Sequence, residues 1–374
     1  MRVFLESIFF QFICGAIVWW FGRKALRRFK SLRLVFDIVF LVEIITYLIG
    51  NIFHKDLPDD ILIFIMNCCD AWYIALLYMT MMILTAEFAL LIIKWFRIKP
   101  QFFSSNLEKI RLALFVIIPI CVTVLMIKGY HNVEYPIKTQ VNITLKKGSS
   151  QIDSLKIAFM SDLHIGEVIK RNLVHRYVTM CNEEKPDIIL IGGDIMDFES
   201  RFAENMHCEE ELRQLKAPLG VYMILGNHEY RANRFAKFRW LKKTGATLLV
   251  DSVVEPAKSF YLVGRDDLTN KDRQPLQTLL RGLDRTKPVI VLDHQPVTIS
   301  EMEIENVALS LHGHTHNGQI WPYNYFIKLT YPCSHGYYRR GPTQVFVTSG
   351  IGVAGPPFRV GTHSELVILH VKFK

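Results

Sequence analysis

Four apolar stretches, residues 3–21, 34–53, 61–93 and 112–127, fill the first third of the chain. Each is near or above the roughly 20 residues that a helix needs to cross a bilayer, the last falling slightly short. No other feature restricts the fold as strongly. Backbone polar groups in hydrocarbon have no water to bond, so a spanning segment of this kind must be helical. The third stretch is longer than one crossing requires, yet it holds no Gly or Pro on which to turn, so it reads as one crossing with an extension. A signal peptide would account for the first stretch alone. The expectation is a four-helix membrane anchor over residues 1–129.

Loop charge orients this anchor. The first connection carries Arg23, Lys24, Arg27, Arg28, Lys30 and Arg33 with no acid. The last carries Lys94, Arg97, Lys99, Lys109 and Arg111 against Glu108, and the middle one, with Asp56, Asp59 and Asp60, is acidic. Basic loops stay in the cytoplasm. Everything after Tyr130 is therefore expected on the non-cytoplasmic side of a plasma or inner membrane. The same pattern accounts for much of the net charge of +9. The basic residues lie between apolar stretches rather than along a groove, so no nucleic-acid partner is expected. Glu43, Asp70 and Glu87 fall inside apolar stretches and read as acids packed within the bundle. The seven cysteines show no paired spacing and indicate neither a disulfide framework nor a zinc ribbon.

Past Tyr130 the apolar runs shorten to strand length and alternate with polar helical stretches, the texture of an α/β domain over residues 130–374. Residues 137–145 alternate like a strand, and residues 365–373 read as a closing strand. Five short apolar runs end in metal-ligand chemistry. Residues 155–160 run into Asp162 and His164, and residues 187–191 into Gly193, Asp194 and Asp197. Residues 221–225 run into Asn227, His228 and Glu229, and residues 288–292 into Asp293 and His294. Residues 307–311 run into His312, Gly313, His314, Thr315 and His316. One Asp or Asn after a strand is often only a helix cap. Five in series, at the strand ends where open α/β sheets bind their ligands, indicate a shared metal site.

These five motifs, in this order, resemble the calcineurin-like metallophosphoesterase superfamily. Its pattern is Asp-x-His, Gly-Asp-x-x-Asp, Gly-Asn-His-Glu/Asp, a lone His and Gly-His-x-His. All five are intact, and the resemblance covers residues 137–374. The tethered arrangement, with Val263-Gly264-Arg265-Asp266-Asp267 and Gly318-Gln319, is most similar to a bacterial membrane-associated branch. That branch includes transmembrane proteins with a metallophosphoesterase domain. The chain is also similar to enzymes that cleave UDP-2,3-diacylglucosamine. The resemblance implies a four-layer α/β/β/α sandwich behind the all-α four-helix transmembrane domain.

It also implies two divalent metal ions. One would be held by Asp162, His164, Asp194 and His316, the other by Asp194, Asn227, His294 and His314, with Asp194 bridging. His228 would act on the phosphate without being a ligand, and Asp197 and Glu229 would support the ligands. A mixed carboxylate, amide and imidazole set suits manganese, iron or zinc without choosing among them. Two such ions can ionise a bridging water near neutral pH and offset charge on phosphate oxygens.

After Gln319 come Trp321, Tyr323, Tyr325, Phe326, Tyr331, Tyr337 and Tyr338, then Arg339 and Arg340. This segment reads either as a lid touching a lipid or sugar, with the arginines receiving a phosphate, or as a hairpin whose aromatics fill the core. Arg359, beside a glycine-rich loop, is a further substrate-binding candidate. The expected function is a membrane-anchored hydrolase of a phosphodiester, pyrophosphate or phosphomonoester. Tethering suggests a lipid-linked substrate, with a phosphorylated small molecule as the other possibility. The alternatives are a UDP-2,3-diacylglucosamine pyrophosphohydrolase, whose cytoplasmic substrate conflicts with the outward topology, and a non-catalytic metal-binding scaffold or membrane sensor.

Overall fold

The computed structural model describes residues 2–53 and 56–374, with side chains described from residue 9 onward. His54 and Lys55 of the middle connection lie outside the described residues. The chain divides into two compact units, Met1–Lys128 and Gly129–Lys374.

The first unit is helical: α1 (Arg2–Ala25), α2 (Lys30–Ile52), α3 (Asp59–Trp95) and α4 (Pro100–Glu134), whose end from Gly129 belongs to the second unit. Among the described residues, α3 and α4 are long and apolar enough to cross a bilayer. They have 37 and 35 residues and mean hydropathies of 2.1 and 2.7 in their most apolar windows. α3 runs unbroken, in keeping with its lack of Gly and Pro. α4 begins well before the apolar stretch it contains. Pro100 is its first residue, where a missing N–H costs nothing. Lys109 and Arg111 therefore stand on a helix, not in a loop. From there Arg111 grips Glu87 of α3 through two hydrogen bonds of 2.8 and 2.9 Å, so this acid is paired within the unit. Phe12, Leu34, Phe64, Phe88 and Ile127 point outward and are exposed. So broad an apolar surface would aggregate in water and is at ease in hydrocarbon.

The second unit runs β1 (Ile137–Leu145), β2 (Ser154–Met160), α5 (Arg171–Glu183), β3 (Ile188–Ile191), α6 (Ser200–Asn205), α7 (Cys208–Leu212), β4 (Val221–Met223) and α8 (Arg234–Leu241). It continues through β5 (Thr247–Leu248), β6 (Ser252–Val254), β7 (Tyr261–Gly264), α9 (Leu276–Leu279), β8 (Val289–Leu292), α10 (Ile299–Ile304) and β9 (Leu309–His312). It ends with α11 (Tyr323–Thr330), β10 (Gly336–Arg340), β11 (Thr343–Val347) and β12 (Glu365–Phe373). The strands form two six-stranded mixed sheets, β1-β12-β2-β3-β4-β5 and β10-β11-β9-β8-β7-β6.

Strand periodicity builds the layers. Successive side chains point to opposite faces. Ile157 and Phe159 of β2, Ile188 and Leu190 of β3, Ile290 and Leu292 of β8 and Leu309 and Leu311 of β9 meet in one core between the sheets. The alternate residues Ala158, Met160, Ile189 and Ile191 face a second core with Tyr177 of α5 and Trp240 of α8. On the other sheet, Val289 and Val291 pack with Leu276 of α9 and Met302 of α10. Helices thus cover both outer faces, giving the four-layer α/β/β/α sandwich. β2, β3 and β4 are parallel, as are β7, β8, β9 and β11, so their carboxyl ends, which carry the motifs, lie together at one edge of each sheet.

The aromatic segment divides between its two readings. Residues 323–330 form a helix with its aromatics outward rather than a hairpin strand. β10 and β11 form the hairpin, and Tyr338 packs there against Ile299, Cys333, Val345 and Val347.

Phe159 is fully buried between the sheets. Phe159→Ala should lower unfolding stability by about 3–5 kcal/mol, read as a fall in thermal midpoint by circular dichroism. A shift no larger than that of an exposed control such as Phe235→Ala would contradict this packing.

Candidate metal centre

Each motif leaves the carboxyl end of a strand and turns at once. Asp162 and His164 follow β2, Asp194 follows β3, Asn227 and His228 follow β4, His294 follows β8, and His314 and His316 follow β9. The turns are tight. Asp162, His164, Asp194, His314 and His316 all have positive φ, between 48° and 71°. That region is costly for residues other than glycine and persists only where neighbours enforce it. Here the enforcing bonds are visible. Asp162 N donates to Gly193 O at 3.0 Å, His164 N to Asp194 O at 3.0 Å, and Gly352 N to Asp162 O at 3.0 Å. Gly313 is required for closeness rather than for its dihedral angles, since a Cβ there would collide with Ser161 Oγ and Asp162 Oδ2. Gly226 abuts Asp194 in the same way.

The turns bring ligand atoms from both sheets together. Among the described residues, Asp162, His164 and His316 form one group, Asp194, His294 and His314 another, and His164, Asp194 and His228 a third that overlaps both. Each offers donor atoms within 4.8 Å of one another. In the first, His164 Nε2 lies 3.1 Å from His316 Nε2, and His316 Nε2 lies 3.5 Å from Asp162 Oδ1. In the second, His294 Nε2 lies 3.2 Å from Asp194 Oδ2. That same Oδ2 is 3.7 Å from His164 Nε2, so Asp194 faces both groups. Two donors holding one ion at about 2.1 Å are themselves roughly 3.0–3.4 Å apart, which matches this spacing.

Further observations fit a cation. His294 Nδ1 is 2.8 Å from the Gly192 carbonyl, which can only accept, so that nitrogen carries a proton and Nε2 is the one left to ligate. His294 Nε2 and Asn227 Oδ1 are both buried without a hydrogen-bond partner. Among the protein groups alone, mutual attraction outweighs burial and holds the Asp194 carboxyl well below its usual range and the His294 imidazole well above, so an ion binding at Nε2 would displace a proton. Burial drives the His314 imidazole down to about 3, leaving it neutral and able to ligate.

Supporting groups surround the donors. Glu229 is fully buried and accepts from the backbone N–H of Asp194, Ile195, Met196 and Gly226 at 2.8–3.0 Å. Burial, with Asp194 alongside, lifts its carboxyl to about 7. Asp197 Oδ1 lies 3.5 Å from His164 Nδ1 and 3.1 Å from His228 Nδ1, so one carboxylate orients two rings. His228 stacks edge-on against His164, with centroids 4.5 Å apart.

The arginine candidates need correction. Arg359 does not face a substrate. It is fully buried, and its guanidinium donates to the carbonyls of Ser349 (2.5 Å), Gly352 (2.8 Å) and His316 (3.2 Å), with Nη2 3.3 Å from His316 Nδ1. It holds the His316 turn from behind. Arg339 and Arg340 pair with Gln344 and Thr343 at the amino end of β11, whereas the site lies past the carboxyl ends of β11 and its parallel neighbour β9. Their strand register places them at the wrong end of the sheet.

Two basic residues escape a motif-based reading. Arg231, exposed, sets Nη1 2.8 Å from His228 Nε2. Lys237, fully buried, donates to the carbonyls of His228 (2.6 Å) and Asp197. Arg231 stands only two residues past the Asn-His-Glu motif, and that proximity was the available signal. Lys237 on α8 carried none.

Comparison with known proteins follows the same residues. A family profile for calcineurin-like phosphoesterases matches residues 155–318, which include every candidate ligand and His228. A Campylobacter jejuni protein named as an uncharacterized metallophosphoesterase is 28% identical over 94% of this chain and 93% of its own length. An Aquifex aeolicus metallophosphoesterase is 31% identical over 64% of this chain and 91% of its own. A zebrafish transmembrane protein with metallophosphoesterase domain is 33% identical over 68% of this chain, which spans 61% of that relative's length.

Arg359→Met should strand the carbonyls it now satisfies and destabilise the fold by about 1–3 kcal/mol, seen as a lowered melting temperature. Arg359→Lys keeps the charge but loses the fork and should fall between. Equal midpoints for all three proteins would refute the role given to Arg359.

Proposed function

This chain belongs to the calcineurin-like phosphoesterase family, and on that premise we propose that it is a membrane-tethered phosphoester hydrolase working with two divalent cations. The observation that carries the proposal is the pair of buried donor groups meeting at Asp194. In this reading Asp162, His164, Asp194 and His316 hold one ion, and Asp194, Asn227, His294 and His314 the other. Manganese, iron and zinc all suit that donor set. When bound, the ions supply an ionised water near neutral pH and positive charge against the phosphoryl oxygens. The substrate is a phosphodiester, pyrophosphate or phosphomonoester, on a membrane lipid or a small molecule. No nucleic-acid partner is proposed.

The chain's own residues do the rest. Asp197 orients the His228 ring through Nδ1, which leaves Nε2 as the atom that meets the substrate. The Arg231 guanidinium can only donate to Nε2, and burial holds the imidazole below its usual range, so this nitrogen first takes up a proton from solvent as Arg231 moves away and then passes it to the leaving oxygen. Arg231, already beside that nitrogen, swings onto a phosphoryl oxygen, where its planar fork suits two oxygens at once. Glu229 keeps the ends of β3 and β4 in register, so the ligands need no rearrangement when the ions bind. Among the described residues no feature favours a uridine-linked substrate or a non-catalytic scaffold.

Metal removal and three variants test this. Purified protein stripped with a chelator should lose hydrolysis of bis(p-nitrophenyl) phosphate and regain it with manganese. Asp194→Asn should fail to regain it and hold less metal by elemental analysis. His228→Ala should keep its metal while turnover falls by about 10²–10⁴. Arg231→Ala should chiefly raise KM. Full metal content and full turnover in Asp194→Asn would end the two-ion reading.

The anchor is proposed to lie in the plasma or inner membrane with residues 130–374 on the non-cytoplasmic side. A reporter phosphatase joined after Lys128 should be active, and green fluorescent protein joined there through the general export route should be dark. The reverse pattern would invert the topology.

A further inference from the structure

α11 is unusual for a helix on a water-facing domain. Asn324 and Ile327 turn inward, and Asn324 backs onto Gly318, at the end of the His314–His316 turn. The remaining large side chains point out. Tyr323 and Tyr325 are each 57% exposed, Phe326 60% and Leu329 86%, with Trp321 at 41% just before the helix. Single exposed apolar residues are ordinary, but Tyr323, Tyr325, Phe326 and Leu329, side by side on one short helix, form a patch that needs a partner.

We propose that this face of α11 docks on the surface of a lipid bilayer. Three observations select that occupant. The first is chemical: Tyr with Phe and Leu is a mixture that settles at the boundary between headgroups and acyl chains. The second is charge. No acidic residue occurs between Glu305 and Glu365, whereas Lys328, on α11 itself, is exposed. Such a segment is drawn to anionic phospholipid. The third is that the same chain carries α3 and α4, apolar enough to enter a bilayer, so a lipid surface is the partner within constant reach. That step rests on the tethering proposed above. α11 has 8 residues, far fewer than the roughly 20 needed to span, so it lies along the surface.

The placement bears on substrate access. Tyr331, directly after α11, sets its ring 5.8 Å from that of His314. With α11 seated among headgroups, one rim of the metal centre borders the layer where phosphoesters of membrane lipids reside. A lipid headgroup then reaches the site by lateral diffusion along the membrane.

The test uses the full chain, with exposed Cys68 and Cys121 replaced by Ser, reconstituted in vesicles of phosphatidylcholine with a minority of phosphatidylglycerol. Phe326→Cys, Leu329→Cys and, as a control on α8, Phe235→Cys are each labelled with an environment-sensitive fluorophore. Nitroxide-bearing phospholipid should quench labels 326 and 329 severalfold more than label 235, while aqueous iodide should quench label 235 preferentially. Iodide quenching at 326 and 329 equal to that at 235 would mean that α11 faces water and would overturn the proposal. Shielding of 326 and 329 from both quenchers would mean that protein covers the face, which also overturns it. The readout needs no turnover. Absence of hydrolysis would sink the preceding proposal and leave this one standing, and water-exposed labels on an active enzyme would do the reverse.

Discussion

The second unit depends on one carboxylate that touches no substrate. Glu229 gathers the backbone N–H groups of Asp194, Ile195 and Met196 from the turn after β3 and of Gly226 from the turn after β4. A carboxylate can accept several hydrogen bonds, and in a water-free setting each is worth more than at the surface. The result ties together two turns that would otherwise be free to open. Asp194 in turn accepts from His228 N at 2.8 Å, so the shared acid and the candidate proton donor are placed by the same strap. From this strap follow the aim of Asp194 at both donor groups and the closeness that forces glycine at position 226.

The centre is expensive to fold. Five of its candidate ligands sit in the left-handed region, at a cost of order 1 kcal/mol or more apiece. Its carboxylates and imidazoles are taken out of water besides. The compensation lies in the fully buried apolar residues between and outside the two sheets. A rigid scaffold of that kind lets strain be held at the strand ends rather than relaxed. Ions that bind the folded form alone would add stability by mass action, so folding and metal loading are linked in one equilibrium.

How much of this could be read from the sequence depended on how local each signal was. The five motifs were legible because each pairs an apolar run with ligand residues within a few positions, and the continuous apolar runs of β2, β3, β8 and β9 marked them as buried strands. Arg359 looked like a phosphate ligand because a basic residue near glycines suggests one. Only the fold shows it enclosed by Ser349 and Gly352, earlier in its own connection, and by His316 from the turn after β9. Arg339 and Arg340 were misjudged for a related reason: their distance from the site is a matter of strand register, which no short window contains. Lys237 illustrates the limit, since a lysine on an ordinary helix gives no hint that it will be sealed beneath His228. The aromatic run after Gln319 resisted reading because Tyr and Trp serve cores and surfaces equally well. Burial alone separates Tyr338 from Tyr323.

The chain exposes apolar residues in two settings, and the difference is instructive. On α3 and α4 they surround long helices whose backbone bonds internally, interrupted in α4 at Pro119, the condition for living inside hydrocarbon. On α11 they cover one side of a short helix whose other side is fixed to the metal-site turn, with Lys328 on the helix and no acid in its vicinity along the chain. Such an element cannot enter the hydrocarbon without dragging the turn with it, but it can rest at the boundary. Tethering alone confines an enzyme near a membrane and leaves its active site free to face any direction. A second, weaker contact made beside the site restricts that direction. The effective concentration set by the tether makes even a shallow contact sufficient, because the surface is never more than a short diffusion away.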